Sequence, residues 1–213
     1  SGSKDSSSST QEEGTLSPSS GSTFTDNSDS SMDNLLNQVQ SLLPTDNGTW
    51  SVYVCNLAKN TEGTINDQQM QAASLIKLYI MGAVYEDYDS LSSKYSKDQL
   101  DNALNSMITV SDNDAANTLT TYLGGGDSAA GMQAVNSFCQ AHGYDQTHMG
   151  RMLLASNEND DNYTSVGDCG HLLQEIYKQD TSGYTHATDM FNLLKAQTVS
   201  YTHLRAHETD QYL

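Results

Sequence analysis

Residues 71–85, QAASLIKLYIMGAVY, form a long and nearly continuous apolar stretch. Their apolar side chains cover nearly every face of a helix, which is typical of a helix buried in the middle of a domain. We therefore predict a central helix over Gln71–Tyr85. Its one charged residue, Lys77, is conspicuous, because a buried charge is costly unless it is paired or used.

Ser74 and Lys77 form an S-x-x-K sequence at the start of this helix. The spacing places the lysine one turn above the serine on the same face. Apolar surroundings lower the pKa of a lysine, so that it can take or relay the serine proton. Backbone N–H groups at a helix N-terminus would also face an oxyanion. The alternative is a lysine that extends to the surface. Ser1–Lys4 matches the same pattern, so the motif alone is not specific.

Ser111-Asp112-Asn113 follows Ser74 by 37 residues, at the start of a predicted helix that runs to about Leu123. Taken alone, Ser111 with Asp114 favours an ordinary helix cap.

The two motifs in this order resemble those of class A β-lactamases and penicillin-binding proteins. Three segments, QAASLIKLYIMGAV, ITVSDNDAANTLTTYLGG and NYTSVGDCGHLLQEIY, look like consecutive helices of that family, and the resemblance covers about Leu35 to Gln197. It implies an α/β (α+β) three-layer β-lactamase/transpeptidase-like fold. The helical subdomain would be largely present, with the C-terminal strands and the closing helix of the sheet missing.

The resemblance also implies roles for single residues. Ser74 would be the nucleophile that opens a β-lactam or peptide carbonyl, with Lys77 as its base or proton relay. Ser111 would pass a proton to the leaving nitrogen, Asn113 would hydrogen-bond the substrate amide, and Asp112 would be structural. The small-molecule substrate would be a β-lactam or the D-Ala-D-Ala end of a cell-wall peptide. No metal and no cofactor is expected.

One family feature is absent, namely the glutamate of an E-x-x-L-N stretch that orients the water for deacylation. Residues 151–163 have a leucine there and a shorter loop. Glu158, Asp160 and Asp161 are the carboxylates left to replace it, but their spacing from Arg151 is wrong. We therefore expect acylation by β-lactams with slow turnover. A D-Ala-D-Ala peptidase-like enzyme and a non-catalytic β-lactam-binding or sensing module remain alternatives.

Composition predicts a disordered Ser-rich linker over residues 1–33. The resemblance implies a partial β-lactamase-like serine hydrolase domain over residues 34–197, and the unusual sequence of residues 198–213 predicts a non-native tail. Val199–Thr209 resembles the in-frame translation of a transposon-end adapter used in sequencing libraries. The family's K-T-G strand, which would supply part of the oxyanion hole, does not occur in the sequence. We therefore expect the truncated chain itself to have no useful activity.

Local patterns complete the expected order of elements. Met32–Leu43 predicts a helix, and Trp50–Leu57 with Thr64–Ile65 predicts a hairpin. Ser96–Gln99 is a capping box and Ser165 a helix cap. Two strands and five or six helices are expected in all. Cys139 with His142, and Cys169 with His171, have ligand-like spacing, but core packing is favoured for both pairs.

The formal net charge of −18 argues against binding to nucleic acids or to an anionic membrane surface. No apolar run reaches the roughly 18 residues of a membrane span, so a membrane link would need a missing N-terminal anchor. The three cysteines lack the paired spacing of a zinc site. We expect a monomer that works outside the cytoplasm, secreted or tethered through the linker.

Overall fold

The computed structural model describes residues 27–46, 48–179 and 183–198. The helices in these ranges are α1 (Ser30–Leu42), α2 (Ile76–Glu86), α3 (Tyr88–Tyr95), α4 (Lys97–Thr109), α5 (Asn113–Leu123), α6 (Ser128–Ala141), α7 (Val166–Lys178) and α8 (Ala187–Lys195). The strands are β1 (Val52–Asn56), β2 (Thr61–Ile65), β3 (Met70–Gln71) and β4 (Tyr163–Thr164). Both numbers exceed the expectation of two strands and five or six helices. None of these helices is long and apolar enough to cross a membrane.

The predicted central helix is confirmed, but its predicted start is wrong. Gln71 belongs to β3, a 3₁₀ turn follows at Ala73–Leu75, and α2 begins at Ile76. Ala73 has a φ of 47°, which no right-handed helix contains, so the chain turns sharply there. Every residue from Ile76 to Tyr85 is buried, and α2 packs against α4, α5 and α6.

Two short antiparallel sheets flank the helices. The β1–β2 hairpin has the register Val52↔Ile65 and packs between α1 and α7. This confirms the predicted hairpin, although β2 begins three residues earlier than expected, at Thr61. The β3–β4 pair joins Met70 to Thr164 and was not predicted, because two-residue strands carry no alternation pattern.

Helix caps agree with the sequence at two places. The Ser96 hydroxyl accepts a hydrogen bond from the Gln99 backbone N–H at 3.3 Å, and the Ser165 hydroxyl accepts one from the Asp168 N–H at 3.1 Å. α1 begins at Ser30, two residues before the predicted start, with Asp29 as its cap. The expectations for residues 1–26 and 199–213 lie outside the described residues.

Candidate active site

Ser74 lies in the 3₁₀ turn between β3 and α2. The Ala72 N–H, just before the turn, donates to the Asn162 carbonyl at 2.8 Å and so connects the turn to the residue that precedes β4. Ser74 is only partly buried, and its Oγ is 3.3 Å from Lys77 Nζ and 3.3 Å from Ser111 Oγ. The Ser74 hydroxyl is therefore accessible to a ligand, and it is close to two groups that can accept or donate a proton, Lys77 Nζ and Ser111 Oγ.

Lys77 is in the first turn of α2 and is 3% exposed. Its Nζ donates to the carbonyl oxygen and to the hydroxyl of Ser111, each at 2.7 Å. The Lys77 amino group therefore lies between the two serines and does not extend to the surface. The S-x-x-K and S-D-N sequences, 37 positions apart in the chain, meet through Lys77 Nζ and through the contact between the two serine hydroxyls.

Ser111 does not cap the next helix, so the predicted Ser111 cap is wrong. The Asp112 carboxylate accepts the Ala115 N–H at 2.8 Å, and α5 begins at Asn113. This gives Asp112 the structural role that the resemblance implied. Ser111 instead has a φ of 57°, a left-handed conformation that is unusual for serine and that accompanies the contact with Lys77.

Asn113 is the first residue of α5 and is half-buried. It follows Ser111 by two positions, so its backbone belongs to the same corner of the fold as the three polar groups. Asn117 lies one turn further along α5, on the same face as Asn113.

Three asparagine side chains fasten the segment that follows α6. Asn136 binds both the N–H and the carbonyl of Met149, at 2.7 and 3.0 Å. Asn117 binds the N–H and the carbonyl of Leu153 in the same way, at 2.8 and 3.1 Å. The Asn162 Oδ1 accepts the N–H groups of residues 150 and 151. Sequence reasoning missed all three, because each pairs with backbone that is distant in sequence and has no residue-type signal.

Two of the carboxylates considered as replacements for the missing glutamate are engaged elsewhere. Arg151 Nε donates to Asp161 at 2.6 Å and holds the pKa of that carboxyl below its usual value. The other Asp161 oxygen accepts from the Gln71 side chain at 3.1 Å. His148 binds Asp160 at 2.6 Å and lowers the pKa of that carboxyl. Glu158 is exposed on the loop.

The described part of the chain holds no group of three or more His, Cys, Asp or Glu side chains that could bind a metal ion. His142 pairs with Glu86 at 2.9 Å, while Cys139 is buried in the core. His171 is also buried, against Glu62 at 3.0 Å. The Cys139–His142 and Cys169–His171 spacings therefore reflect packing, as favoured from the sequence.

Comparison with known proteins identifies the relatives of this arrangement. The model of the beta-lactamase enzyme family matches residues 34–100 and 90–210. The second match enters the stretch predicted as a non-native tail, an assignment that stays a prediction. No curated protein has a detectable match to the chain.

Solved structures agree in fold. A mutant of the class A β-lactamase of the last common ancestor of Gram-negative bacteria has a TM-score of 0.62 at 20% identity, covering 78% of this chain and 71% of that one. PBP-A has a TM-score of 0.65 at 21% identity, covering 79% and 70%. A β-lactamase from Sphaerobacter thermophilus has a TM-score of 0.57 at 19% identity, covering 71% and 65%. The predicted fold class, a helix-rich α/β fold of the β-lactamase type, is confirmed.

Proposed function

Because the chain belongs to the beta-lactamase enzyme family, we propose that Ser74 is an acylating nucleophile for β-lactams and related cell-wall peptides. The observation that carries the proposal is the position of Lys77 Nζ, 3.3 Å from Ser74 Oγ and 2.7 Å from Ser111 Oγ. A serine hydroxyl is a weak nucleophile until a neighbouring base takes its proton, and this nitrogen is within reach of that proton.

Every proton that moves in the proposed acylation is exchanged among Ser74, Lys77, Ser111 and the substrate. Neutral Lys77 takes the proton of Ser74 as the Ser74 oxygen bonds to the substrate carbonyl carbon. The C–N bond of the amide then breaks, and the Ser111 hydroxyl donates its proton to the leaving nitrogen. Lys77, now an ammonium 2.7 Å from Ser111 Oγ, returns a proton to Ser111. The product is an ester on Ser74 with the lysine neutral again.

Slow deacylation is the second part of the proposal. Leu153–Asn157 has the length of the family's E-x-x-L-N stretch and ends in the same asparagine, and on this proposed alignment Leu153 takes the position of the glutamate. A leucine side chain cannot activate water, and Asp160 and Asp161 are held by His148 and Arg151. We therefore expect the ester on Ser74 to last. Since β-lactams and cell-wall peptides are met outside the cytoplasm, we also propose that the protein works there.

Labelling with a fluorescent penicillin tests acylation. Without the K-T-G strand the chain should have no useful catalytic activity, so we expect only slow labelling of the 213-residue chain, and none of Ser74→Ala. Because the sequence contains no K-T-G strand to donate to the oxyanion, labelling should be about 10²–10³ slower than in relatives that have it. The matched control is Ser93→Ala, an exposed serine bonded only to its own helix, which should label like the wild type.

The fate of the label tests slow deacylation. Rapid loss would indicate an efficient hydrolase and would contradict slow deacylation. A lasting label is the expected result and is common to a slow hydrolase, a D-Ala-D-Ala peptidase-like enzyme and a sensing protein. Labelling that persists in Ser74→Ala, or that never occurs in folded wild-type chain, would contradict the proposal.

A further inference from the structure

A cavity of about 670 Å³ lies between α4 and α8, apart from the Ser74 site. Its volume is within the range of about 300–1,000 Å³ that is typical of small-molecule sites. Its lining is polar on both walls and aromatic on the floor. None of Ser74, Lys77 or Ser111 contributes to it.

Three rings make up the aromatic floor. Tyr85 and Tyr88 stack with centroids 5.7 Å apart, and the His186 ring lies 5.2 and 5.0 Å from them. Ring faces attract cations through their quadrupole, and Tyr is one of the better faces for this interaction.

Each wall contributes one carboxylate. Asp101 on α4 accepts the Tyr88 hydroxyl at 2.6 Å, and Asp189 on α8 binds His186 Nδ1 at 2.9 Å. Burial, and then the charges of Asp189 and Asp101, raise the pKa of Tyr85. Both negative charges therefore act on the same aromatic floor, although they belong to opposite helices.

The protein supplies little positive charge to balance these carboxylates. Lys97 also lines the cavity, but it is exposed, and none of the salt bridges among the described residues includes it. Three asparagines complete the polar lining and offer carbonyl acceptors: Asn102, Asn105 and Asn192. The combination of aromatic faces, two carboxylates and amide acceptors suits a ligand with a cationic hydrogen-bond donor.

We propose that the cavity between α4 and α8 is a binding site for organic molecules that carry a primary ammonium group. The ammonium lies over the Tyr85–Tyr88 floor between Asp101 and Asp189, and its alkyl part lies along the apolar side of α8 at Leu193. The site is independent of acylation at Ser74.

Isothermal titration of the full chain with n-hexylammonium tests this proposal, with n-hexanol as the neutral probe. We expect millimolar affinity for the cation and much weaker binding of the alcohol. Asp101→Asn and Asp189→Asn should each weaken binding of the cation about tenfold, because each removes a charge-assisted hydrogen bond. Lys97→Gln should strengthen it, because a like charge at the cavity is removed.

Asp114→Asn is the matched control, since Asp114 is exposed on α5 outside the lining and should leave the affinity unchanged. Tyr88→Leu keeps an apolar side chain but removes the ring and should weaken binding of the cation. Equal affinity for hexanol, or affinity for hexylammonium that neither aspartate variant changes, would overturn the proposal. Circular dichroism of each variant distinguishes a lost site from a lost fold, and Ser74→Ala should bind the probe normally.

Discussion

At the scale of single residues, Lys77 shows a conflict between stability and function. Its amino group is buried, and its bonds to Ser111 offset part of the desolvation cost. An apolar side chain at this position in the first turn of α2 would carry no such cost. A buried lysine within reach of a serine hydroxyl is the environment expected of the proposed general base.

Lys77→Met should lower the rate of acylation by about 10²–10⁴, the usual contribution of a general base. Its free energy of unfolding should stay within about 1 kcal/mol of wild type, because the relief of desolvation offsets the lost hydrogen bonds. Urea unfolding and penicillin labelling of the same samples measure both quantities. Full-rate labelling of this variant would exclude Lys77 as the base.

On the proposed alignment with the family's glutamate, Leu153→Glu should shorten the lifetime of the acyl-enzyme at least about tenfold, because a carboxylate at that position would orient water for deacylation. Its neighbour provides the control. Leu154 is 80% exposed, and Leu154→Glu should leave the lifetime unchanged. Incubating the labelled variants in penicillin-free buffer and following the loss of label gives both lifetimes. Equal lifetimes in the two variants would mean that Leu153 is not the position that limits deacylation.

At the scale of elements, the sequence predicted those features that hydrophobic periodicity and capping residues indicate. It predicted the burial of α2 and the β1–β2 hairpin, whereas a shared role of the S-x-x-K and S-D-N motifs was implied only by the family resemblance. It did not predict the break at Ala73, because a left-handed alanine has no sequence signal. It assigned the α5 cap to Ser111 although Asp112 competes for the same N–H groups. The hydrogen bonds from Asn117, Asn136 and Asn162 to the backbone of residues 149–153 form only when segments that are distant in the sequence pack together.

The α5–α6 contact gives an element-scale prediction. A Cβ added at Gly131 would lie 1.8 Å from the Thr120 carbonyl oxygen, so the two helices cannot keep their spacing. Gly131→Ala should therefore destabilise the protein by about 1–3 kcal/mol or more. Ala129→Ser, on the exposed side of the same helix, should change stability by less than about 0.5 kcal/mol. Thermal unfolding of both variants checks the comparison.

Two buried carboxyls near α7 have opposite pKa shifts. For Glu62, burial acts to raise the pKa, but hydrogen bonds with His171 and Tyr53 outweigh it and lower the pKa. For Asp168, burial raises the pKa to about 6, although bonds from Thr147 and Gln146 oppose it. Glu62 therefore stabilises the fold at neutral pH and stops doing so as pH falls through its lowered pKa. Asp168 stabilises it at low pH, and this contribution is lost as pH rises to about 6.

Stability measured against pH should separate these two groups. Asp168→Asn should gain on wild type between about pH 4 and 6, because the variant no longer has to ionise a buried carboxyl. Glu62→Gln should lose most at neutral pH and converge on wild type in acid. Denaturant unfolding at successive pH values measures both. Parallel curves for wild type and either variant would refute that assignment.

At the scale of the whole molecule, the helical body brings the hydroxyl groups of Ser74 and Ser111 to the amino nitrogen of Lys77. The turn before α2 supplies Ser74, α2 supplies Lys77, and the loop between α4 and α5 supplies Ser111. The net charge of −18 favours solubility and disfavours polyanionic partners, so it is consistent with small-molecule substrates. The central question is whether Ser74, Lys77 and Ser111 together transfer an acyl group from a substrate to Ser74.

Intact-protein mass spectrometry after long incubation with benzylpenicillin answers this question. We expect one added penicillin per chain, located on Ser74 by peptide mapping and still present long after free penicillin is removed. Ser74→Ala should gain no mass. A folded wild-type chain that stays unmodified, or an adduct on any other residue, would refute acyl transfer to Ser74.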